Sequence, residues 1–341
     1  MRTAVVLFNL GGPDGPEAVQ PFLFNLFNDP AIIGAPTPIR WALAHLISRR
    51  RAPVAREIYA TLGGGSPLVP NTQAQATALE TALGPDFKCV IAMRYWHPRA
   101  EAAIAAVKDW GAERLVLLPL YPQFSTTTTG SSVKEWATLA QAAGLTLPTH
   151  TVCCYPTEAG LIAGIAARVR ERYDEAAAHG RPRVLFSAHG LPEKIVKAGD
   201  PYQWQVEQTS ATVVQALGIA DLDSVVCYQS RVGPLKWIGP STDDEIRRAG
   251  ADRVPLLVCP VAFVSEHSET LVEIEHEYRE LAEEAGVPAF YRVDTVATIA
   301  SFIDGLAASV RAAITRGPGT GLPAGGRICP SGWAKCPAGQ P

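Results

Sequence analysis

With 341 residues, 47% of them hydrophobic and 18% charged, the chain is long enough for roughly two domains, each with its own core. A net charge of −3 and an isoelectric point near 6.2 give no positive field to gather phosphates, which excludes nucleic acid as the expected partner. Seven cysteines, an odd number without the spacing of a small stapled domain, exclude a secreted disulfide framework.

The chain opens as MRTAVVLFNLGGP, a strand pattern running into a turn with no cleavable apolar segment and no Arg/Ser-rich leader, which predicts a cytoplasmic protein. Residues 22–47 are apolar, but prolines and Arg40 interrupt them and Arg49, Arg50 and Arg51 follow, short of the ~18 unbroken apolar residues of a membrane span. Two readings stand for this stretch: a pair of helices packed on the core, or an apolar lip that touches a bilayer or a greasy substrate. LGGP at 10–13 and LGGGSP at 62–67 lack the spacing of a dinucleotide fingerprint or a P-loop and read as turns. TTTTGSS at 126–132 opens a helix, where its hydroxyls either cap the first turn or meet a carboxylate.

Short apolar runs bounded by Gly and Pro alternate with helical stretches at 70–83, 99–109, 132–143, 157–178, 202–217, 241–249, 268–285 and 296–314. That is the pattern of a parallel sheet covered on both faces. The chain also repeats itself. GAERLVLLPLYPQF at 111–124 returns as GADRVPLLVCPVAF at 250–263, VLFNLGGP at 6–13 as VLFSAHGLP at 184–192, and CVIAMRYWHP at 89–98 pairs with VVCYQSRVGP at 225–234. The predicted fold is α/β: two similar Rossmann-like domains, each a parallel four-stranded sheet with helices on both faces, over residues 1–150 and 151–316. A Gly/Pro/Cys tail at 317–341 reads as lacking regular structure. Ligands of such sheets bind beyond the carboxyl ends of the strands, so the cleft between the halves is the expected active site.

His189 leaves the strand RVLFS where the first copy has Gly11. A titratable ring present in one copy alone points to a site there, against the plainer reading of a histidine satisfied in a turn. At the next strand exit comes SEHSETLVEIEHEYRELAEE. At 3.6 residues per turn Glu266, Glu269, Glu273, Glu277 and Glu280 share one face, and Leu271, Ile274, Tyr278 and Leu281 another. Glu277 and Glu280 read as a solvated face. In the first turn, stacked like charges need a positive partner or a metal. With His267 among them they offer imidazole and carboxylate ligands of the kind ferrous iron accepts. Cys89, Cys227 and Cys259 fall in apolar runs and read as core, whereas Cys153, Cys154, Cys329 and Cys336 do not.

In order along residues 6–278, LGGP, RRRAP, YATLGGGSP, LPLYPQFSTTTTGSS, FSAHGLP, YQSRVGPLKWIGPSTDD and PVAFVSEHSETLVEIEHEY closely resemble the ferrochelatase family. The resemblance implies two chelatase domains around a porphyrin cleft, and insertion of ferrous iron into protoporphyrin IX as the terminal step of haem biosynthesis. It assigns His189 and Glu269 to the catalytic iron site, with His267 and Glu273 beside them, and Trp237 and Phe263 to the porphyrin-facing aromatics. Arg51, Tyr59, Ser66 and Ser230 match positions that hold the propionates, while Val54 departs from a basic residue that some members carry. Leu10 matches members that use protoporphyrin rather than coproporphyrin.

Some members also carry a two-iron two-sulfur cluster on one mid-chain cysteine and three in the tail. Here Cys154 or Cys153 matches the first, but the tail supplies only Cys329 and Cys336. Four thiolates then require both adjacent cysteines, which on an extended strand point to opposite faces; the alternative is free thiols. The resemblance leaves the oligomeric state open.

Insertion needs two pyrrole protons removed and the ring bent, so that its nitrogen lone pairs face the metal. His189 would accept a proton or present the metal, and Glu269, with Glu273 and Glu266 behind it, would lead protons away or lead the metal in. The rival readings are a chelatase for another metal or tetrapyrrole, which the long motifs disfavour, and a non-catalytic haem carrier, which needs no row of carboxylates.

Overall fold

The computed structural model describes every residue except 232, 234, 324 and 339–341, so the expected tail is described only in part. Among these residues the strands are β1 (Thr3–Asn9), β2 (Phe87–Met93), β3 (Arg114–Pro119), β4 (Thr149–Val152), β5 (Arg183–His189), β6 (Asp223–Gln229), β7 (Leu256–Pro260), β8 (Phe290–Arg292) and β9 (Gly319–Gly321). All pair in parallel, in two sheets of order β2-β1-β3-β4-β9 and β6-β5-β7-β8. The α/β class and the two parallel sheets agree with the sequence. The fifth strand of the first sheet is the difference: it comes from the expected tail, where Gly319–Gly321 lies along His150–Val152.

The chain forms two compact units. The first comprises Met1–Tyr121, Ser125–Cys153 and Ser309–Gly325; the second comprises Pro122–Phe124, Cys154–Ala308 and the described residues from Gly326 onward. In the first, β1 is buried along its whole length, as a central parallel strand of continuous apolar sequence must be. Val6, Phe8, Val90, Ala92, Leu115 and Leu117 meet Ile104, Val107 and Trp136 from two helices. Val5, Leu7, Val116 and Leu118, which alternate with them, are equally buried on the other face. In the second unit Leu185, Cys227, Leu256 and Val258 pack on Ile246, Ala249, Ile274, Tyr278 and Ala282. Each fully buried aliphatic side chain contributes about 1.5–3 kcal/mol relative to exposure, and burial on both faces is what fixes the order of the strands. The three core cysteines are buried as expected, and desolvation pushes the Cys89 and Cys227 thiols up to about 12, so they act as small apolar residues.

Residues 22–47 give parts of two helices, Val19–Phe27 and Thr37–Thr61. The longer one buries only a narrow stripe, Ala44, Ser48, Ala52 and Tyr59, and leaves Ile39, Trp41, Leu43 and Leu46 exposed. No helix among the described residues is long and apolar enough to cross a membrane.

Candidate active site

In the second unit several chemistry-bearing residues stand at strand exits. β5 ends on His189, β6 on Gln229 with Ser230 next, and β7 leads through residues 261–268 into a π-helical segment, Glu269–Glu277. Its wider turns replace the 3.6-residue period expected for 268–285. The buried positions run Thr270, Ile274, Tyr278 and Ala282, with Val272, while Leu271 and Leu281 are only half-buried. Glu277 and Glu280 are exposed, as a solvated face requires.

The His189 side chain keeps 42% of its surface accessible, so it is no core histidine. Its Nδ1 lies 2.7 Å from the Gly190 carbonyl, which places a ring proton on Nδ1 and leaves Nε2 as the nitrogen that faces outward. Nε2 stands 3.9 Å from Glu269 Oε2. That is too long for a hydrogen bond, so the two atoms face one another without a direct bond. The Tyr202 hydroxyl donates to the His189 carbonyl at 3.1 Å. A side chain at Gly190 would be tight: a Cβ would approach Trp237 to 3.2 Å and the Gln229 carbonyl to 3.0 Å, so its neighbours would have to give. The glycine after His189 thus lets Trp237 lie against the same strand exit. The Phe263 ring meets the His267 ring edge-on at 4.6 Å.

Glu273 accepts four hydrogen bonds: from the Ser230 amide (2.8 Å), the Ser230 hydroxyl (2.6 Å), the Gln229 amide group (3.0 Å) and the Tyr278 hydroxyl (3.2 Å). Burial and then the charge of Glu269 raise its pKa, against the pull of Ser230 and Gln229. Ser230, expected on the substrate's propionates, here touches both carboxylates, with its hydroxyl also 3.3 Å from Glu269 Oε2. His267 is buried, and desolvation lowers its pKa although Glu269 and Glu266 oppose this. Its Nδ1 accepts the Glu269 amide at 3.2 Å, so it is a neutral ring that closes the first turn.

Glu266 does not stand behind Glu269. Arg292 (3.0 Å), the Thr295 amide (2.8 Å) and the Thr270 hydroxyl hold it. Arg292 also binds Glu275 at 3.0 Å and Asp294 at 2.7 Å, so it is the positive partner that the acidic row calls for, and nothing in the local pattern marked it. Among the described residues no group of three His, Cys, Asp or Glu side chains is arranged around a metal position.

The remaining expected residues belong to the first unit. Leu10 and Tyr59 pack in one cluster with Val19, Phe22, Ala52 and Tyr95. Arg51 is exposed, its guanidinium 5.8 Å from the Phe27 ring centre. The two Gly-rich turns meet: a Cβ at Gly12 would lie 2.4 Å from Ser66 Cβ and Oγ, and the Ser66 amide donates to the Pro13 carbonyl at 2.7 Å. The carboxylate met by TTTTGSS is the protein's own, since Ser131 donates to Asp29 at 2.7 Å alongside Arg94 (2.7 Å) and Tyr95 (2.8 Å).

The cysteines divide. Cys154, Cys329 and Cys336 are buried in the second unit, where the Gln205 side-chain amide donates to the first two at 3.4 and 3.1 Å. Hydrogen bonding from Cys329, outweighing burial, brings Cys336 down to about 6. Cys153 lies in the first unit, its amide on the Gly321 carbonyl at 2.9 Å and Arg316 near its thiol. Gln205 thus links Cys154 to Cys329, and Cys329 pairs with Cys336, but among the described residues these thiols do not surround a metal position, whereas a two-iron two-sulfur cluster takes four converging ligands.

Comparisons with known proteins place the chain in one family. A family model described as Ferrochelatase matches residues 2–314. Curated relatives named ferrochelatase include those of Caulobacter vibrioides, 57% identical over 98% of this chain and 97% of its own length, and of Phenylobacterium zucineum, 53% identical over 98% of each. Among solved structures, SirB from Bacillus subtilis with Fe3+ overlays on 92% of this chain and 96% of its own with a TM-score of 0.55. At 13% identity that likeness speaks for the fold alone. Sequence motifs, strand-exit geometry and near-full-length relatives converge: the chain belongs to the ferrochelatase family.

Proposed function

We propose that this protein inserts ferrous iron into protoporphyrin IX to give protohaem, with His189 and Glu269 as the reacting pair. The observation that carries the reading is the accessible Nε2 of His189 facing a carboxylate oxygen at 3.9 Å from a rigid strand end. A neutral imidazole whose lone pair is free accepts a pyrrole proton near neutral pH, and the carboxylate beside it stabilises the imidazolium that results. The same two atoms suit brief ligation of the substrate iron, which must leave for the porphyrin; a pair of ligands releases a metal more easily than a closed set of four. Trp237 and Phe263 supply apolar surface for the macrocycle in the second unit, and Leu10, in the first, favours protoporphyrin. Arg51, Tyr59 and Ser66 supply the charge and hydroxyl groups that the propionates need.

Mixing the protein with Fe2+ and protoporphyrin without oxygen, and following the Soret band, tests this. The expected result is catalytic conversion, abolished in a folded His189→Ala and slowed at least about 10²-fold in Glu269→Gln. Stoichiometric haem binding without turnover would support a carrier instead. Turnover with cobalt and a sirohydrochlorin but not with iron and protoporphyrin would support the other chelatase.

A second surface favours a cytoplasmic protein lying against the inner membrane. Ile39, Trp41, Leu43 and Leu46 are exposed on the helix that also carries Arg49, Arg50 and Arg51, and exposed apolar residues followed by cations suit an anionic bilayer surface. Sedimentation with vesicles containing anionic lipid should fall severalfold in Trp41→Ser. Equal recovery of both proteins in the supernatant would sink the idea.

A further inference from the structure

Ser230 stands one residue past β6 with φ of 59°, in the left-handed region that a residue with a Cβ rarely takes and glycine takes freely. Asp221, Arg253 and Ala297 share this sign of φ. Arg253 closes the helix Thr242–Asp252, where a left-handed residue is commonplace. At Ser230 the same conformation aims two donors of one residue at one carboxylate. The amide reaches Glu273 Oε1 at 2.8 Å and the hydroxyl reaches Oε2 at 2.6 Å, while the hydroxyl oxygen stays 3.3 Å from Glu269 Oε2. A glycine would relieve the backbone and keep the amide contact, but it would remove the hydroxyl that lies between the carboxylates of Glu269 and Glu273. Strain retained where a relaxed residue would fold at least as well marks a functional position.

We propose that Ser230 is a positioning residue for the reacting pair: its strained backbone delivers an amide to Glu273 and sets its hydroxyl between the two carboxylates, where its single proton, shared between Glu273 Oε2 and Glu269 Oε2, keeps the Glu269 carboxylate opposite His189. The inference rests on the reading of His189 and Glu269 given above. It differs from the propionate contact that family resemblance assigns to Ser230, and the two roles predict opposite kinetics.

Three measurements on Ser230→Gly and Ser230→Ala test it. In Ser230→Gly the melting temperature should rise by a few degrees as strain is released, while kcat falls at least about tenfold and KM for protoporphyrin stays within about twofold, because orientation is lost and substrate binding is not. Ser230→Ala keeps the strain and loses the hydroxyl, so kcat should fall alike with no gain in stability. A raised KM at unchanged kcat in both variants would assign Ser230 to the propionates and overturn the proposal, as would a kcat that simply follows stability downward. The crystal structure of Ser230→Gly reads the inference without turnover. Carboxylates of Glu269 and Glu273 rotated from their present places support it; unmoved carboxylates overturn it, whether or not the wild-type protein inserts iron.

Discussion

His267 shows how a residue in the right motif can serve the site without reacting. Burial holds its imidazole below the ordinary value of 6.5, so the folded chain keeps it neutral while the unfolded chain takes up a proton near 6.5. Its contribution to stability is therefore complete above 6.5 and is lost as pH falls from there toward the folded value. Glu273 runs the other way. Its pKa is raised, so its contribution is present in acid and is lost as pH rises through the folded value. His267→Gln retains an acceptor for the Glu269 amide and removes only the titration. The urea midpoint of the wild-type protein should drop more between about pH 7.5 and about pH 5.5 than that of His267→Gln. Equal drops would show that the ring is charged in the folded state.

Between elements, close approach is what brings the motifs into register. The π-helical segment starts at Glu269 and keeps Glu269 and Glu273 within reach of one serine, while its acid neighbours Glu266 and Glu275 are taken by Arg292. In the first unit, LGGP and GGGSP touch because Gly12 carries no Cβ; its conformation is otherwise unremarkable and the requirement is steric. Gly12→Ala must push Ser66 away at a cost of about 1–3 kcal/mol, the usual range for overpacking. Gly15→Ala in the same loop meets nothing within 4 Å and serves as the control. Urea unfolding should show the loss in the first variant alone, and a matching loss in both would point to a loop backbone that disfavours any Cβ instead of to the Ser66 contact.

At the scale of the molecule, the tail belongs to the fold. β9 completes the first sheet, and in the second unit Arg327 binds the carbonyls of Cys329 (2.9 Å), Pro330 (3.0 Å) and Trp333 (2.8 Å) while the Lys335 amide reaches the Gly199 carbonyl at 3.0 Å. Three buried thiols and Gln205 clasp this segment. Protein purified without oxygen should be colourless, and Cys336→Ser should lower the unfolding midpoint without bleaching any chromophore. About two irons and two sulfides per chain would refute the three-thiol clasp and show that a fourth ligand completes a cluster.

The parallel α/β class was legible along the chain, because continuous apolar runs bounded by Gly and Pro are local patterns that both faces of such a sheet demand. The sequence also singled out His189 through the contrast with Gly11, and it placed Cys89, Cys227 and Cys259 in the core. Its helical period found Glu269 and Glu273 but put Glu266 in line with them, although Glu266 precedes the helical segment and turns to Arg292. Packing alone settled which acids face His189 and which are taken by Arg292, that Ser131 serves Asp29, and that Ser66 sits against Gly12. Each of those outcomes joins residues brought together by strand order and packing rather than by chain proximity, and no local period of the sequence carries that information.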